Sequence, residues 1–217
     1  MSENVADRVL SFRIEAHAVW KATEETPKPD VSFVPSLARR RLTEVERAAI
    51  AVAWRVRPEE EVPVVFASRW GEIGVTAKLM RQFHEEGEMS PAGFSASVHN
   101  AAPGVFSLLT GNRAAYNAVA ARERSLEMGL LEAMAVGGPV LYVYAEEATP
   151  GMYEGALKPA QTACSVAVRL VPGEGKGAAR AMLRRSDAPP AQFDSFVDFL
   201  EGRAATFDTA QFSLAPV

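Results

Sequence analysis

The chain has 217 residues, 48% of them hydrophobic and 23% charged, with a formal net charge of −4. That length allows one large domain or two small ones, and the composition is that of an ordinary globular protein with a sizeable core. A weakly acidic balance leaves no electrostatic footprint for nucleic acid, one cysteine excludes an internal disulfide, and no apolar run approaches the ~18 residues of a membrane span.

The first twelve residues lack a basic region followed by an apolar stretch, so no signal peptide is expected. With the lone Cys164 this suits a reducing cytoplasm. Val9–Ile14 reads as a short strand with Trp20 packing nearby. Lys21–Ser36 carries three prolines and reads as an irregular connection. Thr43 followed by Glu46 makes a capping box for a helix to about Arg57, with Ala48, Ala49, Val52 and Ala53 on one apolar face. Val62–Ser68 is a continuous apolar run, as in strands buried on both faces of a parallel or mixed sheet. Gly71–Glu86 is an amphipathic helix whose inner stripe is Ile73, Ala77, Met80 and Phe83.

Ser90 caps a short helix over Pro91–Ser97, with proline at its first position. Asn100 caps the next, which buries Val105, Phe106, Leu108 and Leu109 and stops at Gly111. Ala115–Ala121 is a strand of small residues running straight into the helix Glu123–Ala135, with Leu126, Gly129, Leu130 and Ala133 inward. Val140–Ala145 is a second buried strand, Glu146–Gln161 a loop, and Thr162–Val171 another strand. Pro172–Pro190 reads as a polar segment, mobile in part. Pro190 starts a last helix to Glu201, with Phe193, Phe196, Val197 and Leu200 on one face, and Phe207–Leu214 is an edge strand. The alternation of strands and helices predicts one layered α/β domain over residues 1–217.

Several blocks together resemble the beta-ketoacyl synthase-like N-terminal family of aryl-polyene-type pigment clusters, whose members are often labelled chain-length factors. They are VWK at Val19–Lys21, PSLARRRLTEVERAAI at Pro35–Ile50, VVFASRWGEIGVTAKLM at Val64–Met80, SPAGFSASVHNAAPGVFSLLTG at Ser90–Gly111, LEMGLLEA at Leu126–Ala133 and PVLYVYAEEATPGMY at Pro139–Tyr153. The resemblance implies a thiolase-like half: a mixed sheet with helices packed on both faces. Active ketosynthases of this kind place a cysteine at a strand-to-helix turn and draw two histidines from the other half. The thiolate takes an acyl group from a carrier protein, and the histidines assist decarboxylation of a malonyl unit.

By position the nucleophile falls at about Arg122, so Ala121, Arg122 and Glu123 form a vestigial active-site turn with no residue able to make the acyl thioester. His17, His84 and His99 all lie in the first half of the chain, and no second thiolase half is evident. The resemblance places Phe94, His99 and Asn100 beside the site, in lining or structural roles. It also implies that the strand before the turn pairs with its counterpart across a two-fold axis. Tyr116, Asn117, Arg122 and Arg124 are then interface candidates, although Arg122–Arg124 equally suit a solvated helix start.

Cys164 sits in TACS, a string that also surrounds ketosynthase nucleophiles, but Val166, Val168 and Leu170 alternate after it as in a strand, which favours a buried structural thiol. Ser68 and Ser125 lie in no GxSxG elbow. Arg39, Arg40 and Arg41 are a candidate docking patch for an acidic carrier protein. No metal or cofactor motif is found, and none is expected. The leading expectation is a non-catalytic subunit pairing with a ketosynthase, or with itself. Two alternatives stay open: a stand-alone acyltransferase or thioesterase-like enzyme using Cys164 or Ser125, and a carrier-protein or acyl-chain binding module.

Overall fold

The computed structural model describes residues 9–153, 155–157, 162–175, 178–183 and 186–217. Its elements run β1 (Val9–Lys21), α1 (Ser36–Arg39), α2 (Glu44–Val56), β2 (Val64–Ala67), α3 (Ile73–Glu86), α4 (Pro91–Ala96), α5 (Ala101–Thr110) and β3 (Tyr116–Val119). A 3-10 turn at Arg122–Arg124 leads into α6 (Ser125–Ala135). Then come β4 (Val140–Glu146), β5 (Cys164–Pro172), β6 (Ala178–Leu183), α7 (Phe193–Leu200), β7 (Phe207–Asp208) and β8 (Phe212–Pro216). The strands form one mixed sheet in the order β3-β2-β4-β5-β1-β6-β8-β7. The β2 strand is parallel to both β3 and β4, and every other pairing is antiparallel. No described helix is long and apolar enough to cross a membrane.

Strand periodicity explains why β2 and β4 read as unbroken apolar runs. Val64, Phe66, Leu141 and Val143 point to one face and join α2 and α5 in one core; Val65, Ala67, Val140, Tyr142 and Tyr144 point to the other and meet α6 and α7. Helices cover both faces. On the second face Gly129 lets α6 lie directly against β2: a methyl group there would sit 2.4 Å from the Ala67 Cβ and 3.0 Å from the Tyr142 ring. One turn earlier the Tyr142 hydroxyl donates to the Leu126 carbonyl at 2.6 Å, in full burial.

The Thr43 capping box forms as expected: Glu46 N donates to Thr43 Oγ1 at 3.1 Å and Thr43 N to Glu46 Oε2 at 2.8 Å. Ser90 and Pro91 start α4, and Gly111 ends α5 in the left-handed conformation. Asn100 occupies the cap position of α5, but its side chain makes no capping bond.

Other readings need correction. β1 continues to Lys21, because residues up to Lys21 keep pairing with β5 past a register shift near Ile14 and Ala16; Trp20 is part of the strand. α2 is buried on nearly all sides, including Val45, Ile50, Ala51 and Val56, because the Val31–Val34 segment closes over the face away from the sheet, with Phe33 stacked on Trp54 at 4.7 Å. On α3 the covered residues are Ala77 and Leu79, while Met80 and Phe83 are about half exposed, because this helix packs on α4 rather than on the sheet. On α5 only Phe106 of the four expected residues is fully buried, and Leu108 is 85% exposed. The Pro172–Pro190 segment contains β6, which pairs with both β1 and β8. Residues 176–177 and 184–185 of that segment, 154 and 158–161 of the Glu146–Gln161 loop, and the N-terminal residues 1–8 lie outside the described residues. The single edge strand expected at Phe207–Leu214 is two strands, with β8 inside the sheet and β7 at its edge.

A buried acid lies beneath the start of α2. Glu72 is 2% exposed and accepts from Thr43 Oγ1 at 3.0 Å through Oε1, while Oε2 has no hydrogen-bond partner among the described residues. Burial pushes its carboxyl from 4.5 up to about 8, against the Thr43 hydrogen bond and with help from the Glu46 and Glu147 charges. A folded-state value above the unfolded one stabilises the fold fully below the unfolded pKa, and that stabilisation is lost as pH rises through the folded value. Urea midpoints should therefore fall between pH 5 and pH 8, and Glu72→Gln should flatten that fall. Gly129→Ala should cost about 1–3 kcal/mol in denaturant melts, because the added methyl meets the Ala67 Cβ, which has no flexible end to swing aside.

Candidate functional site

The turn after β3 is built by its own hydrogen bonds. Arg122 has φ 53°, the only positive φ at a described non-glycine residue. Ser125 locks it: Ser125 Oγ donates to the Arg122 carbonyl at 2.7 Å and accepts from Ala121 N at 2.9 Å. Arg124 N closes the turn onto the Ala121 carbonyl at 3.0 Å. Ser125 is fully buried, so its hydroxyl serves the turn and is not presented as a nucleophile. The vestigial turn expected at Ala121, Arg122 and Glu123 is thus a sharp strand-to-helix elbow carrying an arginine whose side chain is 78% exposed.

Two buried glutamates tie this region to distant parts of the chain. Glu127 on α6 takes Arg124 Nη1 at 2.6 Å and the backbone N–H of Ala191 at 2.9 Å, and Arg124 Nη2 reaches the Ala188 carbonyl at 2.9 Å. Arg124, expected at an interface, is turned inward by these contacts. Glu146 at the end of β4 accepts from Ser68 Oγ at 3.1 Å and from the Arg69 backbone N–H. Ser68 Oγ also accepts from Gly71 N at 2.8 Å, which commits this serine to holding the end of β2.

His99 serves the same junction. Its Nε2 lies 3.0 Å from the Ser68 carbonyl, which can only accept, so Nε2 carries the proton. Its ring meets Phe66 at 5.7 Å and rests on Gly71, where a Cβ would come within 2.8 Å of it. Gly71 also has φ 54°, so both space and backbone call for glycine there. Neighbouring Asn100 is exposed, and Phe94 is 60% exposed on α4. The three histidines sit on separate elements: His17 on β1, His84 near the end of α3 and His99 before α5. Burial lowers the pKa of His17.

Cys164 is the first residue of β5 and is buried. Burial pushes its thiol far up, and the nearby Glu146 charge adds to this against the pull of Lys21. A neutral thiol on a strand is a poor nucleophile. Among the described residues no group of three or more His, Cys, Asp or Glu side chains is arranged for a metal ion. In the basic run Arg40 and Arg41 are exposed, whereas Arg39 is half-buried and donates to the Ser32 carbonyl at 3.1 Å.

Among the described residues β3 forms an open edge of the sheet. Val64 N donates to the Ala115 carbonyl at 3.0 Å and Ser68 N to the Val119 carbonyl at 3.2 Å. In a parallel ladder alternate residues make the bonds, so Ala115, Asn117 and Val119 serve β2, while the backbone groups of Tyr116, Ala118 and Ala120 point outward. Tyr116, Asn117 and Ala118 are exposed, and Asn117 Nδ2 donates to Glu132 at 3.1 Å. What the sequence did not betray were Ser125's lock, the two glutamates and Arg69; an acid embedded in an otherwise apolar strand or helix was the one available signal.

Comparison with solved structures places this architecture. A chain of "Ketosynthase (ApeO) in Complex with its Chain Length Factor (ApeC) from Xenorhabdus doucetiae" matches at TM-score 0.76 and 22% identity, over 95% of this chain and 99% of that one. A chain of "AntDE:AntF (apo): type II PKS acyl-carrier protein in complex with its ketosynthase bound to the hexaketide" matches at TM-score 0.63 and 11% identity, over 76% of this chain and 64% of that one. "The ishigamide ketosynthase/chain length factor" matches at TM-score 0.53 and 13% identity, over 86% and 64%. At these identities the likeness is one of fold, the thiolase-like ketosynthase fold. Comparison with curated protein sequences finds no significant match. Residues 14–197 match the family described as beta-ketoacyl synthase, N-terminal domain, well past Tyr153, where the last of the resembling sequence blocks ends. The chain therefore belongs to the beta-ketoacyl synthase N-terminal domain family.

Proposed function

We propose that this chain is a non-catalytic ketosynthase-like subunit of the chain-length-factor type, one domain over residues 1–217, that pairs with an active beta-ketoacyl-ACP synthase in polyene or fatty-acid-like chain elongation. The observation that carries the proposal is the elbow: a strained strand-to-helix turn, locked by Ser125, that presents Arg122 where an acyl-accepting thiol would be needed. The one cysteine is buried on β5 with its pKa raised, and the histidines lie on three separate elements. Two of the similar structures are described as a ketosynthase with a chain length factor.

The surface for the partner is the β3 edge. Natural sheets blunt open edges with lysine, proline or bulges, and Tyr116–Val119 carries none of these. α5 packs beside β3 and exposes Leu108, and Phe94 and Val98 are exposed apolar side chains on α4 and just after it. Arg122, exposed at the end of the same strand, extends that surface. Exposed Arg40 and Arg41 would meet an acidic acyl carrier protein; one similar structure is described as an acyl-carrier protein complex.

Co-expression with a catalytically complete beta-ketoacyl synthase from the same genome tests the pairing. The expected result is a co-purifying heterodimer that elongates carrier-bound chains only when both subunits are present; a partner equally active and stable alone would overturn it. Ala118→Pro removes an outward N–H without touching the bonds to β2, so it should weaken association about tenfold or more while the melting temperature of the isolated chain holds. Arg122→Gly should relieve the left-handed backbone and stabilise the isolated chain by about 1 kcal/mol in thermal melts.

A further inference from the structure

We propose that Arg69 anchors a binding site for a small aliphatic monocarboxylate. The Arg69 side chain is only 10% exposed. Its Nε and Nη2 are buried and have no hydrogen-bond acceptor among the described residues. Those two nitrogens share one edge of the guanidinium, the fork that matches both oxygens of a carboxylate. The facing acid, Glu123 Oε1, stands 3.7 Å from Nη2, too far for a hydrogen bond, and its side chain is 39% exposed. The Trp70 ring centroid, 5.9 Å from the guanidinium carbon, supplies no acceptor.

Buried charges in folded proteins are paired and hydrogen-bonded, and an unused fork marks a place for an anion. Arg69 lines a cavity of about 430 Å³ together with Glu123, Tyr144, Cys164 and Phe193, and a carboxylate entering there would reach the buried fork by displacing the Glu123 side chain. That size lies within the roughly 300–1,000 Å³ of small-molecule sites. Lys21 and Asp194 belong to the same wall but already pair with each other at 2.7 Å, which among the described residues leaves Arg69 as the cation available to a ligand there.

The surroundings choose among anions. Glu123 and Asp194 would repel a dianionic phosphate, whereas a monoanion needs only the fork. Tyr144, Cys164 and Phe193 offer an apolar wall to a short alkyl stem. Glu123 is the ligand's competitor: loosely placed beside the guanidinium, it partly neutralises the fork when the cavity holds nothing else. The inference does not rest on the pairing proposed above and is tested on this chain alone.

Isothermal titration of the full chain with sodium hexanoate, hexanol and inorganic phosphate, followed by Arg69→Lys and Glu123→Gln, tests it. Saturable one-to-one binding of hexanoate is expected, at least about tenfold tighter than hexanol or phosphate. Arg69→Lys keeps the charge but loses the fork and should weaken hexanoate about tenfold, with the melting temperature reported alongside. Glu123→Gln removes the competitor and should tighten hexanoate severalfold, which keeps the test decisive if the Arg69 variant does not fold. Absence of saturable hexanoate binding, phosphate binding as tight as hexanoate, or hexanoate affinity unchanged by Glu123→Gln would each overturn the proposal.

Discussion

The turn after β3 depends on how closely α6 lies against β2. Gly129 permits that approach, since any side chain there would strike the Ala67 methyl. With the two backbones so near, the chain leaving β3 has only the five residues Ala120–Arg124, the last three a 3-10 turn, in which to reverse into α6. That shortage of length is what forces Arg122 into a left-handed conformation. The strain is local, and Ser125 holds it by bonding on both sides of the bend.

Buried carboxylates then fix what packing leaves free. Glu127 and Glu146 are each 2% exposed or less, and each accepts from groups far away in the chain. Glu127 pins the segment before α7 to the foot of α6, and Glu146 pins the end of β2 to the end of β4. Such acids stabilise only while their partners stay in place, because an uncompensated buried charge is costly. Arg69 departs from this pattern: its backbone is held by Glu146, while its guanidinium fork has no acceptor among the described residues.

The sheet and most helices were legible because their signals are local. The Thr43 capping box, Ser90-Pro91 and Gly111 act within one turn, and the apolar runs of β2 and β4 record burial on two faces. The elbow could be located from a strand of small residues running into a charged triplet. Burial faces were harder to read. On α3 the periodic stripe includes Met80 and Phe83, yet the helix leans on α4 instead of the sheet, so its covered side is rotated toward Ala77 and Leu79. β6 was missed because Ala178–Leu183 is short, small and interrupted by arginine, and gains its strand character only by lying between β1 and β8. The site's polar contacts were invisible for a related reason: Arg69 meets Glu146 across 77 positions and Ala191 meets Glu127 across 64, and no spacing rule reaches that far.

The open edge of β3 has a consequence for supply in the cell. Its outward amides and carbonyls carry no charge and no geometry that would tell one incoming strand from another. A second copy of this chain presents the same short strand, and so does any stray β-segment. If the edge takes a partner as proposed above, whatever selects the right neighbour must come from side chains around the edge or from timing. Synthesis of matched amounts, with each new chain captured as it folds, would keep the edge from meeting its own kind; an excess of this chain alone would be exposed to self-pairing and aggregation.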